Sequence, residues 1–173
     1  ATVLFARSLP KTGGDTQFVN MYSVYADLPD EIKLKIADLK AVHVYQSRHS
    51  IRKLMPLSEE SQKDVLDGVV HPLVRTHPET SRKALYINPI RIEAIEGLSE
   101  PEALTLLDEL LTHATQAKYQ YRHKWRLGDL VMWDNRCLPH RAIDYDMAAH
   151  RRVLRRTTVA GAGPISGPFS AES

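Results

Sequence analysis

Cysteine is nearly absent from this 173-residue sequence: Cys137 stands alone, so no internal disulfide can form. With no base identifiable beside it, Cys137 is read as a small packed residue rather than a nucleophile. A reducing compartment suits such a chain, and a cytoplasmic location is the expectation. Long apolar runs are missing too. None approaches the roughly 18 residues that a spanning helix requires, and no signal peptide is visible, so no membrane partner is expected. Neither sign of charge is in excess. The 23 Lys and Arg against 21 Asp and Glu leave +2, too little to define a nucleic-acid surface, and the basic residues are scattered except near the end. No internal repeat is present. What remains is an ordinary composition, 43% apolar and 25% charged, sufficient for a single domain over residues 1–173 with a sizeable core.

The pattern along the chain is short strands interrupted by a few helices. Residues 1–7 and 17–19 read as strand pieces around a Pro and Gly-Gly turn at 10–14. Met21, Tyr25 and Leu28 share a helical face, and Ile32, Ile36 and Leu39 repeat that spacing after Pro29. The segment 41–46 is expected to be extended, and 47–68 to be a polar excursion with a short helix near 58–67. The runs His71–Thr76 and Lys83–Asn88 flank Pro78-Glu79-Thr80-Ser81 as a hairpin would. Ser99 with Glu102 forms a capping box, opening a helix whose stripe is Ala103, Leu104, Leu107, Leu110, Leu111 and Ala114. Residues 119–124, 130–134 and 152–160 read as strands, and the Gly, Pro and Ser-rich tail 161–173 is expected to be flexible. Such alternation fits a mainly β sandwich or jelly roll with flanking helices, an α+β arrangement, although other mixed folds share it.

Chemistry concentrates near the end of the chain. His140 lies just beyond the apolar strand Leu130-Val131-Met132-Trp133, where an imidazole would have a dry wall behind it. Arg151 and Arg155, four apart in an expected strand, would share one face about 13 Å apart at about 3.3 Å per residue. Their planar forks suit carboxylates. Arg152 and Arg156 would then point the other way, as an exposed basic edge. His43 is expected to be packed or hydrogen-bonded.

Trp133-Asp134-Asn135-Arg136-Cys137-Leu138-Pro139-His140, followed by spaced arginines, resembles the distal metal-ligand and cosubstrate segment of the taurine dioxygenase (TauD/TfdA) family of iron(II) and 2-oxoglutarate dependent oxygenases. Leu9-Pro10-Lys11-Thr12-Gly13-Gly14-Asp15-Thr16 resembles that family's glycine-rich turn, and the stretches 71–78 and 84–88 are also similar to it. The resemblance implies a double-stranded β-helix, an Fe(2+) cofactor, and 2-oxoglutarate and O2 as cosubstrates. Succinate and CO2 would be released as a small, anionic organic substrate is hydroxylated, such as a sulfonate, sulfate ester or aryloxy acid. By the same resemblance His140 is a metal ligand, Thr16 and Arg151 bind the cosubstrate, and Arg155 binds the substrate. Asp134 would be structural, and Arg48, His49 and Arg91 fall where relatives carry substrate-pocket side chains. The family completes its facial triad with a His-x-Asp or His-x-Glu pair on an early strand. This chain is read as lacking the pair, and because Ala1–Ala6 resembles the strand that follows it, the jelly roll is expected to be N-terminally incomplete. The alternative, from another class, is a noncatalytic module that binds small anions or serves an assembly after losing iron. Assembly as a homo-oligomer is compatible with either.

Overall fold

The computed structural model describes residues 1–50, 52–54, 56–58, 68–160 and 165–166. The chain runs β1 (Thr2–Ser8), β2 (Thr16–Val19), α1 (Met21–Ala26), α2 (Asp30–Ile36), β3 (Lys40–His43), β4 (Val69–Pro72), β5 (Val74–Thr76), β6 (Lys83–Leu85) and β7 (Ile92–Ile95). It continues with α3 (Glu100–Ala114), a 3-10 turn at Ala117–Tyr119, β8 (Gln120–His123), β9 (Leu130–Trp133), β10 (His140–Ala142), β11 (Val153–Thr158) and β12 (Ile165–Ser166). The strands form four antiparallel three-stranded sheets among the described residues, ordered β11-β1-β9, β10-β2-β8, β12-β5-β6 and β4-β3-β7.

Local chemistry explains the helices. Asn20 Oδ1 accepts the backbone N–H groups of Tyr22 and Ser23 at 3.1 and 3.3 Å, satisfying donors that the first turn of α1 leaves unpaired. At α3 the Glu102 carboxylate accepts the Ser99 N–H at 2.8 Å and the Ser99 hydroxyl, the reciprocal bond of a capping box. The buried face of α3 is Ala103, Leu106, Leu107, Leu110 and Ala114, while Leu104 is 40% exposed and Leu111 half-buried. Leu106 thus replaces Leu104 in the expected stripe, because positions i, i+3, i+4, i+7 and i+11 follow the helical period more closely. That face packs with Met21, Val24, Ile36, Leu73, Leu85 and Ile95 into one core cluster.

Several elements depart from the sequence-based expectation. The run 71–76 is two strands, not one: β4 pairs with β3 and β5 with β6, and the chain changes sheet at the buried Leu73. Strands β7 and β10 had no sequence signal strong enough to mark them, being four and three residues long. In the tail, Ile165 pairs with Thr76 and Ser166 with Arg75. The rest of 161–173, and the expected helix from residue 59 onward, lie outside the described residues.

The turn leaving β5 puts Ser81 at φ 55°, the left-handed region that costs a side chain roughly 1 kcal/mol or more, while its N–H donates to His77 O at 2.8 Å. Ser81→Gly removes that strain and adds some unfolded-state entropy. We expect a net gain of about 0.5–1 kcal/mol in urea unfolding; no gain, or a loss, would show the strain to be absorbed elsewhere.

Candidate cosubstrate and metal site

The turn between β9 and β10 is built around one carboxylate. Asp134 accepts the Arg136 backbone N–H at 2.8 Å and the Arg136 guanidinium fork, Nε at 2.9 Å and Nη2 at 2.6 Å. His77 Nδ1 accepts the backbone N–H groups of Glu79 and Thr80, so Nε2 carries the ring proton and donates it to Asp134 at 3.0 Å. Arg136 first and His77 next, against the opposing effect of burial, hold the Asp134 carboxyl well below the usual carboxylate range. Its main-chain carbonyl accepts from Leu138 N at 3.0 Å and Cys137 N at 3.3 Å. Both carboxylate oxygens of Asp134 are therefore engaged by the turn and by His77. Cys137 is buried, and that burial pushes its thiol up, consistent with a packing role.

This turn delivers His140 to the start of β10, where it pairs with Phe18 of β2. Its ring lies 4.6 Å from the Trp133 ring and 5.9 Å from the Phe18 ring. The residue keeps an exposed edge, yet desolvation by these rings, aided by the charge of Arg156 and opposed by a hydrogen bond with the Leu138 backbone, lowers its pKa. A neutral imidazole backed by apolar rings is a suitable metal donor.

Two residues along from His140 in the same sheet, Ala142 pairs with Thr16, which is 3% exposed. Thr16 Oγ1 accepts from Trp125 Nε1 at 2.9 Å and from Arg152 Nη2 at 3.3 Å. With both lone-pair positions taken, the hydroxyl proton is left to donate to a ligand. Arg152 Nε donates to Gly14 O at 2.7 Å. A Cβ at Gly14, φ +70°, would sit 3.0 Å from Arg152 Cδ, and one at Gly13, φ +74°, would strike Asp144 O at 2.5 Å. The glycine pair is thus required both for its backbone conformation and for the close approach of Arg152. Burial pushes the Arg152 guanidinium down from its ordinary value, offset in part by Tyr145 and Asp15; it remains a cation.

A cavity of about 470 Å³ joins these groups: Thr16, His140 and the arginines 52, 141, 152 and 156 line it, with no carboxylate among its walls in the described residues. A second, largely apolar cavity of about 360 Å³ also reaches His140 and Arg141, walled by Met21, Ile87, Pro89 and Leu111.

Arg151 and Arg155 are not in either cavity. They line a cleft with Arg7, Ser8 and Val153 on the opposite face of the β11-β1-β9 sheet, so the expected faces are reversed. The cause is register: Leu4 pairs with Arg156 and Phe5 with Arg155, and it is the face of Thr2, Leu4, Arg156 and Thr158 that turns to the cavity. Arg48 pairs with Glu93 at 3.1 Å and Glu100 at 2.5 Å and donates to His49 Nε2 at 3.1 Å. Arg91 Nη1 donates to Tyr45 O at 2.7 Å, and none of Arg48, His49 and Arg91 lines the two cavities at His140. The chain does contain one His-x-Glu spacing, His77-Pro78-Glu79, correcting the expectation that it has none. His77 is buried with both ring nitrogens committed, so this pair is structural. Among the described residues no three His, Cys, Asp or Glu converge as a metal site. No helix there is long and apolar enough to cross a membrane.

The chain belongs to the taurine catabolism dioxygenase TauD, TfdA family, whose model matches residues 1–158. It is 46% identical over 162 residues to the alpha-ketoglutarate-dependent 2,4-dichlorophenoxyacetate dioxygenase of Burkholderia sp. (strain RASC), covering 92% of this chain and 53% of that protein. It is 32% identical over 171 residues to the alpha-ketoglutarate-dependent sulfate ester dioxygenase of Pseudomonas putida, covering 95% of this chain and 56% of the relative. Among solved structures, AAD-2 in complex with Mn(II) and N-oxalylglycine superimposes with a TM-score of 0.83 at 40% identity, over 94% of this chain and 64% of that one. The fold is accordingly the mainly β jelly roll with flanking helices. The chain spans about half the length of the curated relatives it matches.

Asp134→Asn keeps the shape of the turn but removes the charge that Arg136 and His77 meet. The loss should be about 2–3 kcal/mol in denaturant unfolding near neutral pH. Because the folded carboxyl is depressed, this contribution is present above the unfolded value of about 4 and fades as pH falls below it. A variant as stable as the parent at pH 7 would remove Asp134 from its organising role.

Proposed function

We propose that the whole protein is an iron(II)- and 2-oxoglutarate-dependent dioxygenase acting on a small anionic organic substrate. The observation that carries this is the convergence of Thr16, Arg152, Arg156 and His140 on one cavity, with no carboxylate among its described walls. In this assignment the cosubstrate role expected of Arg151 passes to Arg152, and the substrate role expected of Arg155 passes to Arg156. Arg152, steadied by Gly14 O, and the free proton of Thr16 grip the distal carboxylate of 2-oxoglutarate. Arg156, four residues on and in the same cavity, faces the anionic group of the primary substrate. The apolar cavity beyond His140 takes a carbon skeleton and keeps water from it.

His140 is one protein ligand for Fe(II); its fit rests on a desolvated, neutral imidazole. Among the described residues no group of three His, Cys, Asp or Glu converges to complete the set, and the chain spans about half the length of the relatives. When bound, iron would supply the coupling of O2 reduction to loss of CO2 from 2-oxoglutarate. Names of the relatives favour aryloxy acids and sulfate esters as the substrate range, and the N-oxalylglycine bound by AAD-2 favours a small dicarboxylate beside the metal.

In the full-length protein, Arg152→Ala should weaken 2-oxoglutarate by more than about tenfold, since a desolvated carboxylate loses its bidentate partner. Arg152→Lys should recover part of this, a point charge being no substitute for the fork. Arg151→Ala should bind the cosubstrate as the parent does. Calorimetric titration of 2-oxoglutarate decides the matter: a loss confined to the Arg151 variant would restore the original assignment. His140→Ala should abolish metal-dependent succinate formation while leaving the thermal midpoint within a few degrees; sustained turnover would exclude His140 as a ligand.

A further inference from the structure

A second basic cluster sits on the β4-β3-β7 sheet and the β5–β6 hairpin. The β3–β4 register places His43 opposite Val69 and His71 opposite Ala41, so both imidazoles stand on one face of the ladder. Their ring centroids are 5.0 Å apart, edge to face. Tyr86 closes against both, stacked on His43 at 5.4 Å and edge-on to His71 at 5.3 Å. Arg75 is 9% exposed and lays its guanidinium over the Tyr86 ring at 4.4 Å. Among the described residues no carboxylate pairs with Arg75. His43 Nε2 and His71 Nδ1 are buried and have no hydrogen-bond partner.

The guanidinium and the two ring nitrogens are thus left short of partners. A buried guanidinium without a counter-charge is costly, and an aromatic face offsets that only in part. Two buried ring nitrogens without partners add to the cost. Among the described residues the charged and titratable groups facing His43 are His71 from β4, Arg75 from β5 and Arg91 ahead of β7, with the Tyr86 ring as the wall; no acid is among them. Burial, then His71, Arg75 and Arg91, push His43 down to about 4. Such a group is neutral in the folded chain and protonates in the unfolded one first, so its contribution to stability is lost as pH falls from about 6.5 toward 4. An anion would supply the negative charge that the Arg75 guanidinium lacks and acceptor lone pairs for its N–H groups and those of the imidazoles.

We propose that the Arg75, His43, His71 and Tyr86 cluster is a second anion site that takes a small carboxylate or inorganic oxyanion from solution. The guanidinium provides the charge and directional N–H groups, the imidazoles provide N–H donors once an anion favours their protonated forms, and Tyr86 excludes water from one side. It is separate from the cosubstrate cavity, since none of these four residues lines that cavity. Its occupant braces the hairpin that carries His77, the donor to Asp134.

The test uses the unaltered chain with 15N-labelled histidine. Sulfate, and in a second arm acetate, replaces chloride at constant ionic strength while the ring nitrogens are followed by NMR. His43 and His71 should shift saturably, the other six histidines should not follow, and the midpoint of His43 should rise from about 4 toward its ordinary value under sulfate. Neutral acetamide should do nothing. Arg75→Met should weaken the response by more than about tenfold; if that variant does not fold, His71→Phe serves, with the same loss expected at His43. Shifts that never saturate or that all eight histidines share would overturn the site. So would a His43 midpoint already at its ordinary value without added anion, which would mean that a carboxyl of the polypeptide occupies the cluster.

Discussion

The carboxylate of Asp134 is the interaction from which the rest of the site follows. Between β9 and β10 the chain must reverse within a few residues and bring Trp133 and His140 into ring contact. Hydrogen bonds to both oxygens and to the main-chain carbonyl fix that reversal, and the guanidinium of Arg136 balances the charge. The resulting turn docks on β2 and α1, where Val19 N donates to Pro139 O at 3.0 Å and Met21 N to Cys137 O at 3.1 Å. Phe18 and Thr16 are thereby set opposite His140 and Ala142. Through His77 the same carboxylate ties the β5–β6 hairpin to the turn, so the core layer and the strand that carries His140 share one anchor.

Which arginines face that strand is decided by a constraint no composition reveals. The sequence offers two doublets, Arg151-Arg152 and Arg155-Arg156, and either member of each keeps the four-residue spacing. Side chains alternate across a strand, so counting one residue differently exchanges the inner pair for the outer pair. The tie is broken by long-range pairing: β11 meets β1 with an irregularity between Ala6 and Ser8, and the inner face follows Leu4 rather than Phe5. One sequence signal could have favoured Arg152. Gly13-Gly14 indicates a backbone approached closely by something, and the structure identifies that neighbour at Gly14 as the Arg152 stem.

Elements defined by local patterns were legible, and those defined by pairing were not. The capping box of α3 and the apolar run of β9 carry their own chemistry, and each appears where the sequence puts it, within a residue or two. Strands β7 and β10 are three or four residues long and exist because neighbours supply their hydrogen bonds. The division of 71–76 into β4 and β5 is of the same kind, since a continuous apolar run is compatible with one strand or two. His140 and Thr16 were legible as a pair only through the family motifs, being 124 residues apart and joined by the β10–β2 ladder.

Net charge proved a poor gauge of what the chain can bind. On the exposed surface many charges are answered locally, as in Lys118 with Asp27, Arg122 with Asp15, and Arg48 with Glu93 and Glu100. Such pairs bring the total toward zero and contribute little to stability. The arginines of the cavity at His140 behave differently. Arg141 is engaged by the neutral Gln17, Arg152 by a carbonyl and a hydroxyl, and among the described residues no acid lines the cavity that they share with Arg52 and Arg156. Like charges held together at the edge of a low-dielectric wall repel, and that repulsion weighs on the empty fold. The dicarboxylate proposed for this cavity would relieve it, so affinity and stability would be linked: the cations whose repulsion costs the fold would be those that hold the ligand.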